Sequence, residues 1–225
     1  SESGYIAIPA PGVQDNNRTA RVLTGTGPVT WSHNGQMDGI FDMNGNVWEW
    51  VLGLRLVKGE VQILADNNAA DSSADLPASS SAWKAINAAD GTLVTPDGNG
   101  TTAGTVKMNY ASGKWVYSTT IADSKDESRS CQFKDVTADS RIGAAAKLLL
   151  QALAMMPDTA LTGTGIDANY GGDYVWANNA ADERCPIRGG NWDSGGNAGV
   201  FYLNLNNPRS NTWGSGGGRC AFVKQ

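Results

Sequence analysis

The sequence predicts an α+β fold dominated by short strands, and three observations carry that expectation. Two segments read as β-hairpins, one reads as an amphipathic helix, and the remainder is rich in turn-forming residues. Residues 54–57 and 61–64 flank Lys58-Gly59, and two apolar runs separated by a glycine-bearing pair are a hairpin signal. Residues 105–110 and 114–119 flank Ala111-Ser112-Gly113 in the same way. Ile142, Ala145, Ala146, Leu149, Leu153 and Met156 recur at helical spacing. They predict a core-facing helix over 138–156, capped by Asp139 or Thr137 and stopped before Pro157. Met155 and Met156 read as packing residues rather than a cofactor site.

The other elements follow in chain order. Residues 1–36 are turn-rich, with Pro9, Pro11 and Pro28. Asn44-Gly45 is a tight-turn signal, and 47–51 alternates as a strand would. Residues 65–81 are small and polar and predict an irregular surface loop, and the charged stretch 121–130 predicts another exposed segment. Composition shifts at Arg188 to glycine, asparagine and aromatic residues, with strands expected over 200–205 and 219–223. No internal repeat is evident.

The length of 225 residues suits a single domain that buries a real core, with 52–136 read as a large insertion. A formal charge of −5 without basic clusters is a poor match to nucleic acid or anionic membranes. No apolar run approaches the ~20 residues of a membrane span. No signal peptide is evident at Ser1, which leaves localisation open. Cys131, Cys185 and Cys220 are odd in number and far apart. That argues against a disulfide framework or a structural zinc and for ordinary buried thiols. The single histidine, His33, excludes a His-rich metal centre, and Trp-Ser-His-Asn-Gly around it reads as a turn.

Three landmarks carry a family resemblance. Gly39-Ile-Phe-Asp-Met-Asn-Gly-Asn-Val-Trp-Glu-Trp50 is similar to the signature of the formylglycine-generating enzyme family. Arg188-Gly-Gly-Asn-Trp192 resembles that family's Arg-Gly-Gly-x-Trp, and Gly218-Arg219-Cys220-Ala221 its Gly-Phe-Arg-Cys-Ala, with Gly218 in place of the phenylalanine. The order matches and the combination covers about a quarter of the chain. The resemblance implies a C-type-lectin fold, with mixed, largely antiparallel strands, few helices and the insertion.

Within that superfamily the tail, about 188–223, resembles the variable region of diversity-generating retroelement proteins, in which asparagine codons are rewritten at their adenines. It follows the frame through Ala198-Gly199-Val200-Phe201, Leu203, Leu205 and Arg209-Ser210. The replaceable positions implied are Asn191, Asp193, Ser194, Asn197, Tyr202, Asn204, Asn206, Asn207 and Asn211. Asp, Ser, Gly and Tyr are reachable from an asparagine codon by adenine changes alone. Glu, Gln, Lys and Met are not, and none of them occurs in the tail. Trp213 is either frame or an exception to this rule.

Physical chemistry alone points the same way. Binding loops favour Tyr, Ser, Gly and Asn with Trp and Arg as anchors, and these types dominate 191–219. Val200, Phe201, Leu203 and Leu205 are expected to anchor the segment in the core, and Tyr202 and Asn204 to face the other way. Enzymatic readings lack their parts. The family's oxidases resemble one another in a cysteine pair before the last landmark, and 194–217 contains no cysteine. Sulfoxide-synthase relatives need a histidine-rich iron site. Lectin-type sugar binding through calcium would need motifs that do not occur here. A structural calcium on Asp42, Gly45, Val47 and Glu49 is what the resemblance implies as a cofactor; the simpler reading has Glu49 buried and bonded to backbone amides. The expectation is a non-enzymatic protein that binds a protein or other surface-exposed ligand at a virion tail or cell surface. A structural scaffold is the alternative, and an oxidase using Cys131, Cys185 or Cys220 the more remote one.

Overall fold

The computed structural model describes residues 7–10, 14, 15, 18, 19, 21–71, 73, 76–158 and 170–219. In chain order its strands are β1 (Gln14–Asp15), β2 (Arg18–Thr19), β3 (Trp48–Trp50), β4 (Leu54–Val57), β5 (Glu60–Leu64), β6 (Trp83–Ile86) and β7 (Leu93–Val94). They continue with β8 (Lys107–Ala111), β9 (Lys114–Ser118), β10 (Arg129–Gln132), β11 (Thr137–Ala138), β12 (Tyr174–Ala177), β13 (Cys185–Arg188), β14 (Leu203–Asn207) and β15 (Gly216–Gly217). Helix α1 spans Ala144–Ala152. The chain is thus strand-rich α+β.

Two sheets organise it. A six-stranded sheet has the order β10-β12-β14-β13-β3-β15, antiparallel except for the parallel pairs β12–β14 and β3–β15. A seven-stranded sheet runs β11-β9-β8-β5-β6-β7, with β4 on the free edge of β5. Strands β4 to β9, all from 52–136, lie in this second sheet, while β10 joins the first. One apolar cluster takes Leu56, Val61, Trp115 and Met108 from the second sheet, Val175, Leu203 and Leu205 from the first, and Leu150 from α1.

Both predicted hairpins form. Val57 pairs with Glu60, and Lys58 and Gly59 both have positive φ, 45° and 82°, the signature of a type I′ turn whose twist matches the strands. In the second hairpin Ala111 pairs with Lys114, so the turn is two residues, Ser112 and Gly113, rather than three. Residues 65–71 form a 3-10 turn and bend within the predicted surface loop. Within 121–130 residues 122 and 124–128 are exposed as expected, Ile121, Asp123 and Ser130 are half-buried, and Arg129 is buried.

The helix is shorter than its periodicity predicts, and the reason lies in the preceding residues. Thr137 and Ala138 pair in parallel with Val116 and Tyr117. Asp139 donates its backbone N–H to Tyr117 and accepts the Arg141 N–H on its side chain, while Gly143 donates to Ala88. Those bonds hold 137–143 out of helical conformation, so Gly143 rather than Asp139 or Thr137 stands at the N-cap. The buried face is Ala146 and Leu150, with Leu149 and Leu153 packed partly against the core; Ala145 is exposed. Asn44 and Gly45 give way to Gly45 and Asn46 as the positive-φ pair of that turn.

The end of α1 shows local strain. The Met155 N–H reaches back to the Leu150 carbonyl across Ala154, which sits at φ 48°. This is the position glycine normally fills, and a Cβ there costs roughly 1–2 kcal/mol. Ala154→Gly is expected to stabilise the fold by about 0.5–1 kcal/mol once the greater freedom of the unfolded glycine is subtracted. Urea unfolding of the variant measures this; a destabilised variant contradicts it.

Candidate ligand-binding face

The frame of the tail is built from its most constrained residues. The Arg188 guanidinium is buried and donates from Nη2 to the carbonyls of Leu153 (2.8 Å) and Ala154 (3.1 Å). It therefore caps the C-terminal end of α1, where carbonyls lack helical partners and the helix dipole favours a cation. Burial lowers its pKa to about 10. Gly189 and Gly190 both have positive φ, and a Cβ would meet the Met43 carbonyl oxygen at 2.9 Å in the first case and the Ala198 side chain at 2.8 Å in the second. A Cβ on Gly199 would collide with the Asp173 carboxylate, which accepts the Phe201 N–H at 2.8 Å.

Strand β14 then sorts its residues by face. Leu203 and Leu205 are fully buried, and Phe201 stacks on Phe133 at 5.2 Å. Val200, expected in the core, is half exposed instead. Strand alternation begins only at Leu203, because the Asp173 bond and the Tyr202-to-Gly199 turn bond hold residues 199–202 as a bend. The opposite face is aromatic and amide. Trp176 lies opposite Asn204, Asn204 opposite Ile187, and Ile187 opposite Trp50. Trp48 packs edge-on against Tyr202 at 4.6 Å, and Trp50 against Trp213 at 5.5 Å. Tyr174 and Trp176 complete the surface. These rings are half-buried except Tyr202, which is buried. Tyr202 does turn away from Leu203 and Leu205, but it packs under Trp48 rather than standing free. Burial raises its hydroxyl pKa, partly offset by the neighbouring Trp176 indole, whose buried Nε1 lacks a hydrogen bond of good geometry.

The asparagines form two groups. Asn204 Oδ1 accepts from the Asn206 backbone N–H (2.9 Å) and Asn207 Nδ2 (3.1 Å), and Asn207 Oδ1 accepts from Asn211 Nδ2 (3.0 Å). In the loop before β14, Asn191 Oδ1 accepts from Ser194 Oγ (2.7 Å) and the Asp193 N–H (3.3 Å). Asp193 and Asn197 are exposed, and the other amides are partly so. Rings flanked by amide donors and acceptors suit molecular recognition. Trp48, Trp50, Tyr174 and Trp176 join this face although they are not among the expected binding positions; the period-two Trp-Glu-Trp and Tyr-Val-Trp patterns are the signal for them.

Behind the face runs a polar chain. Arg209 donates from Nε and Nη2 to Glu183, and Arg55 donates to the same carboxylate at 2.9 Å while lying 4.3 Å over the Trp83 ring. Burial alone would raise the Glu183 pKa, but the hydrogen bonds from Arg209 and Arg55 hold it below the ordinary value of 4.5.

The loop expected to hold calcium is organised around a guanidinium. Glu49 accepts from Arg219 Nη2 (2.6 Å) and Nε (3.0 Å), not from backbone amides. The same Nη2 donates to the carbonyls of Phe41 and Asp42. Burial raises the Asp42 pKa, opposed by the Gly25 N–H and by Arg219. The Gly45 N–H donates to the Gly189 carbonyl, and Val47 packs where a Gly217 Cβ would lie. A calcium ion on Asp42, Gly45, Val47 and Glu49 would have to displace Arg219, so these oxygens do not fit it as arranged. Among the described residues no three His, Cys, Asp or Glu side chains converge.

Cys131 and Cys185 are free and buried, and burial pushes the Cys131 thiol up to about 11. They sit on β10 and β13, three strand steps apart, or about 14 Å at ~4.8 Å per step, beyond disulfide reach. Cys220, Ala221 and the strand predicted over 219–223 lie outside the described residues, apart from Arg219. His33 lies in a turn, its Nδ1 accepting the Ile40 N–H. No helix among the described residues is long and apolar enough to cross a membrane. No known protein family and no curated protein matches the chain.

Proposed function

We propose that this protein is a ligand-binding protein of the C-type-lectin fold, of the formylglycine-generating-enzyme type, whose C-terminal segment is diversified by a retroelement to bind variable targets. One observation carries the reading. Tail residues that match the fixed pattern are buried or conformationally obligatory: Arg188, Gly189, Gly190, Gly199, Leu203 and Leu205. The replaceable positions Asn191, Asp193, Ser194, Asn197, Asn204, Asn206, Asn207 and Asn211 reach the surface. Such a division lets side chains change without loss of the fold. Val200, Arg209, Ser210 and Arg219 of the fixed pattern are exposed, and Tyr202 of the replaceable set is buried, so these five depart from it. The proposed target is a protein or other surface-exposed ligand, met at a virion tail or cell surface. The reading is non-enzymatic.

Sequencing the source locus tests diversification. A near-copy of the tail with asparagine codons at the replaceable positions, beside a reverse-transcriptase gene, is expected. An isolated gene whose tail is unchanged among independent isolates contradicts it and favours a structural scaffold. For binding, Trp213→Ala is expected to weaken a captured target about 30-fold or more, because large aromatics tend to be hot spots. Lys58→Ala, in the hairpin of the other sheet, should change affinity less than about threefold. Equal effects in a surface-plasmon titration count against the face.

A further inference from the structure

A cavity of about 290 Å³ opens at the seam between the two sheets. Its walls are Trp50 and Leu52 from the segment leaving β3, Leu54 and Trp83 from the second sheet, and Cys185 and Arg209 from the first sheet and its exit. The size is at the lower bound of ligand clefts, ~300 Å³. The lining is apolar apart from one charged group. Leu52, 62% exposed, stands at the mouth.

Charge selects what this cavity takes. Arg55 and Arg209 share the single carboxylate of Glu183, so two guanidiniums face one anion, and of the three groups Arg209 lines the cavity. Arg209 binds Glu183 through Nε and Nη2 only, leaving Nη1 outside that pair, and its side chain is 39% exposed. Arg55 is stacked on the Trp83 ring, itself part of the cavity lining. An apolar body between indoles and leucines, beside an incompletely neutralised guanidinium, matches one chemistry.

We propose that this cavity is a binding site for a small apolar carboxylate, its hydrocarbon part among Trp50, Leu52, Leu54 and Trp83 and its carboxylate on Arg209. The site is built from residues outside the replaceable positions, so it does not depend on the tail varying. Trp50 forms one wall and also stacks on Trp213, which sets the cavity directly beside the proposed variable face. A ligand here would be a constant element next to changeable ones.

Calorimetric titration of the full chain with sodium octanoate tests this, with octylammonium and octan-1-ol as partners of equal chain length. Saturable octanoate binding at about 1 mM or tighter is expected, with both comparison compounds about tenfold weaker. Arg209→Gln removes the excess charge and Leu52→Asp places an anion at the mouth. Each should weaken octanoate about tenfold, and Arg209→Lys should recover most of the loss. Both altered side chains are solvent-exposed, and circular-dichroism melts verify folding; if Arg209→Gln does not fold, Leu52→Asp and the octylammonium comparison decide. No saturable octanoate binding, equal binding of octylammonium, or unchanged affinity in a folded variant overturns the proposal. Octanoate binding that persists while Trp213→Ala changes nothing toward a captured target would leave the cavity standing and remove the variable face.

Discussion

Replacing Arg188 with alanine is expected to lower the unfolding free energy by about 3–5 kcal/mol, the range of large buried truncations. Two effects combine. The stem leaves a cavity, and two carbonyls at the end of α1, those of Leu153 and Ala154, lose their donor inside the protein. A buried acceptor left without a partner costs about 1–3 kcal/mol. Arg188→Met separates the effects: it retains most of the volume but no donor, and should lose about half as much. Among the described residues no carboxylate pairs with this guanidinium, so the loss should be insensitive to salt between 0.05 and 0.5 M, a range over which the screening length falls about threefold and a surface ion pair weakens. Chemical denaturation of both variants checks the ranking. A neutral alanine variant would show that the tail does not lean on α1.

Glu183→Gln is expected to cost about 2–4 kcal/mol at pH 7, between the values for surface and fully buried pairs, because Glu183 is mostly buried while Arg209 is partly solvated. Removal leaves Arg55, itself buried over Trp83, facing Arg209 with no carboxylate between them. The pH dependence has a definite sign. The folded-state pKa of Glu183 lies below 4.5, so the native protein binds its proton less readily than the unfolded chain. The pair's contribution is full above pH 4.5 and is lost as the pH falls through the depressed folded value. The stability difference between the natural protein and Glu183→Gln should therefore be constant at neutral pH and shrink below 4.5. A difference that grows on acidification contradicts the assignment of Glu183 as the shared anion.

Local chemistry was written in the sequence more clearly than arrangement. Gly59 and Gly113 supply the second positive-φ position of two-residue turns, with Lys58 and Ser112 held at positive φ beside them, and both hairpins formed around these glycine-bearing segments. Helix α1 was visible as a period, but its length was not. Asp139 and Gly143 are bound by strands β9 and β6's neighbouring loop, contacts 22 and 55 residues distant that no local pattern encodes. Likewise 200–205 alternates well enough to read as a strand, yet Asp173 bends 199–202 and moves the ladder to Leu203. The order of the two sheets was not readable from periodicity at all.

The site followed the same division. Leu203 and Leu205 pointed inward and Asn204 outward as alternation requires. The burial of Tyr202 depended on Trp48, 154 residues earlier in the chain, and so did not follow from the tail alone. Glu49 has two carboxylate oxygens and a loop of carbonyls beside it, a pattern that suits a cation; sequence could not say that the cation would be the Arg219 guanidinium. The aromatic face needed the pairing of β12, β14, β13 and β3 before its rings came together.

On the proposed function, a fixed frame carries replaceable positions. The most direct test is a display library in which Asn191, Asp193, Ser194, Asn197, Asn204, Asn206, Asn207 and Asn211 are randomised together, measured against a library of Arg188, Gly189, Gly190, Gly199, Leu203 and Leu205. Protease resistance reports the folded fraction of each. The account predicts that most members of the first library remain folded and nearly all of the second do not. Equal losses in the two libraries would contradict it.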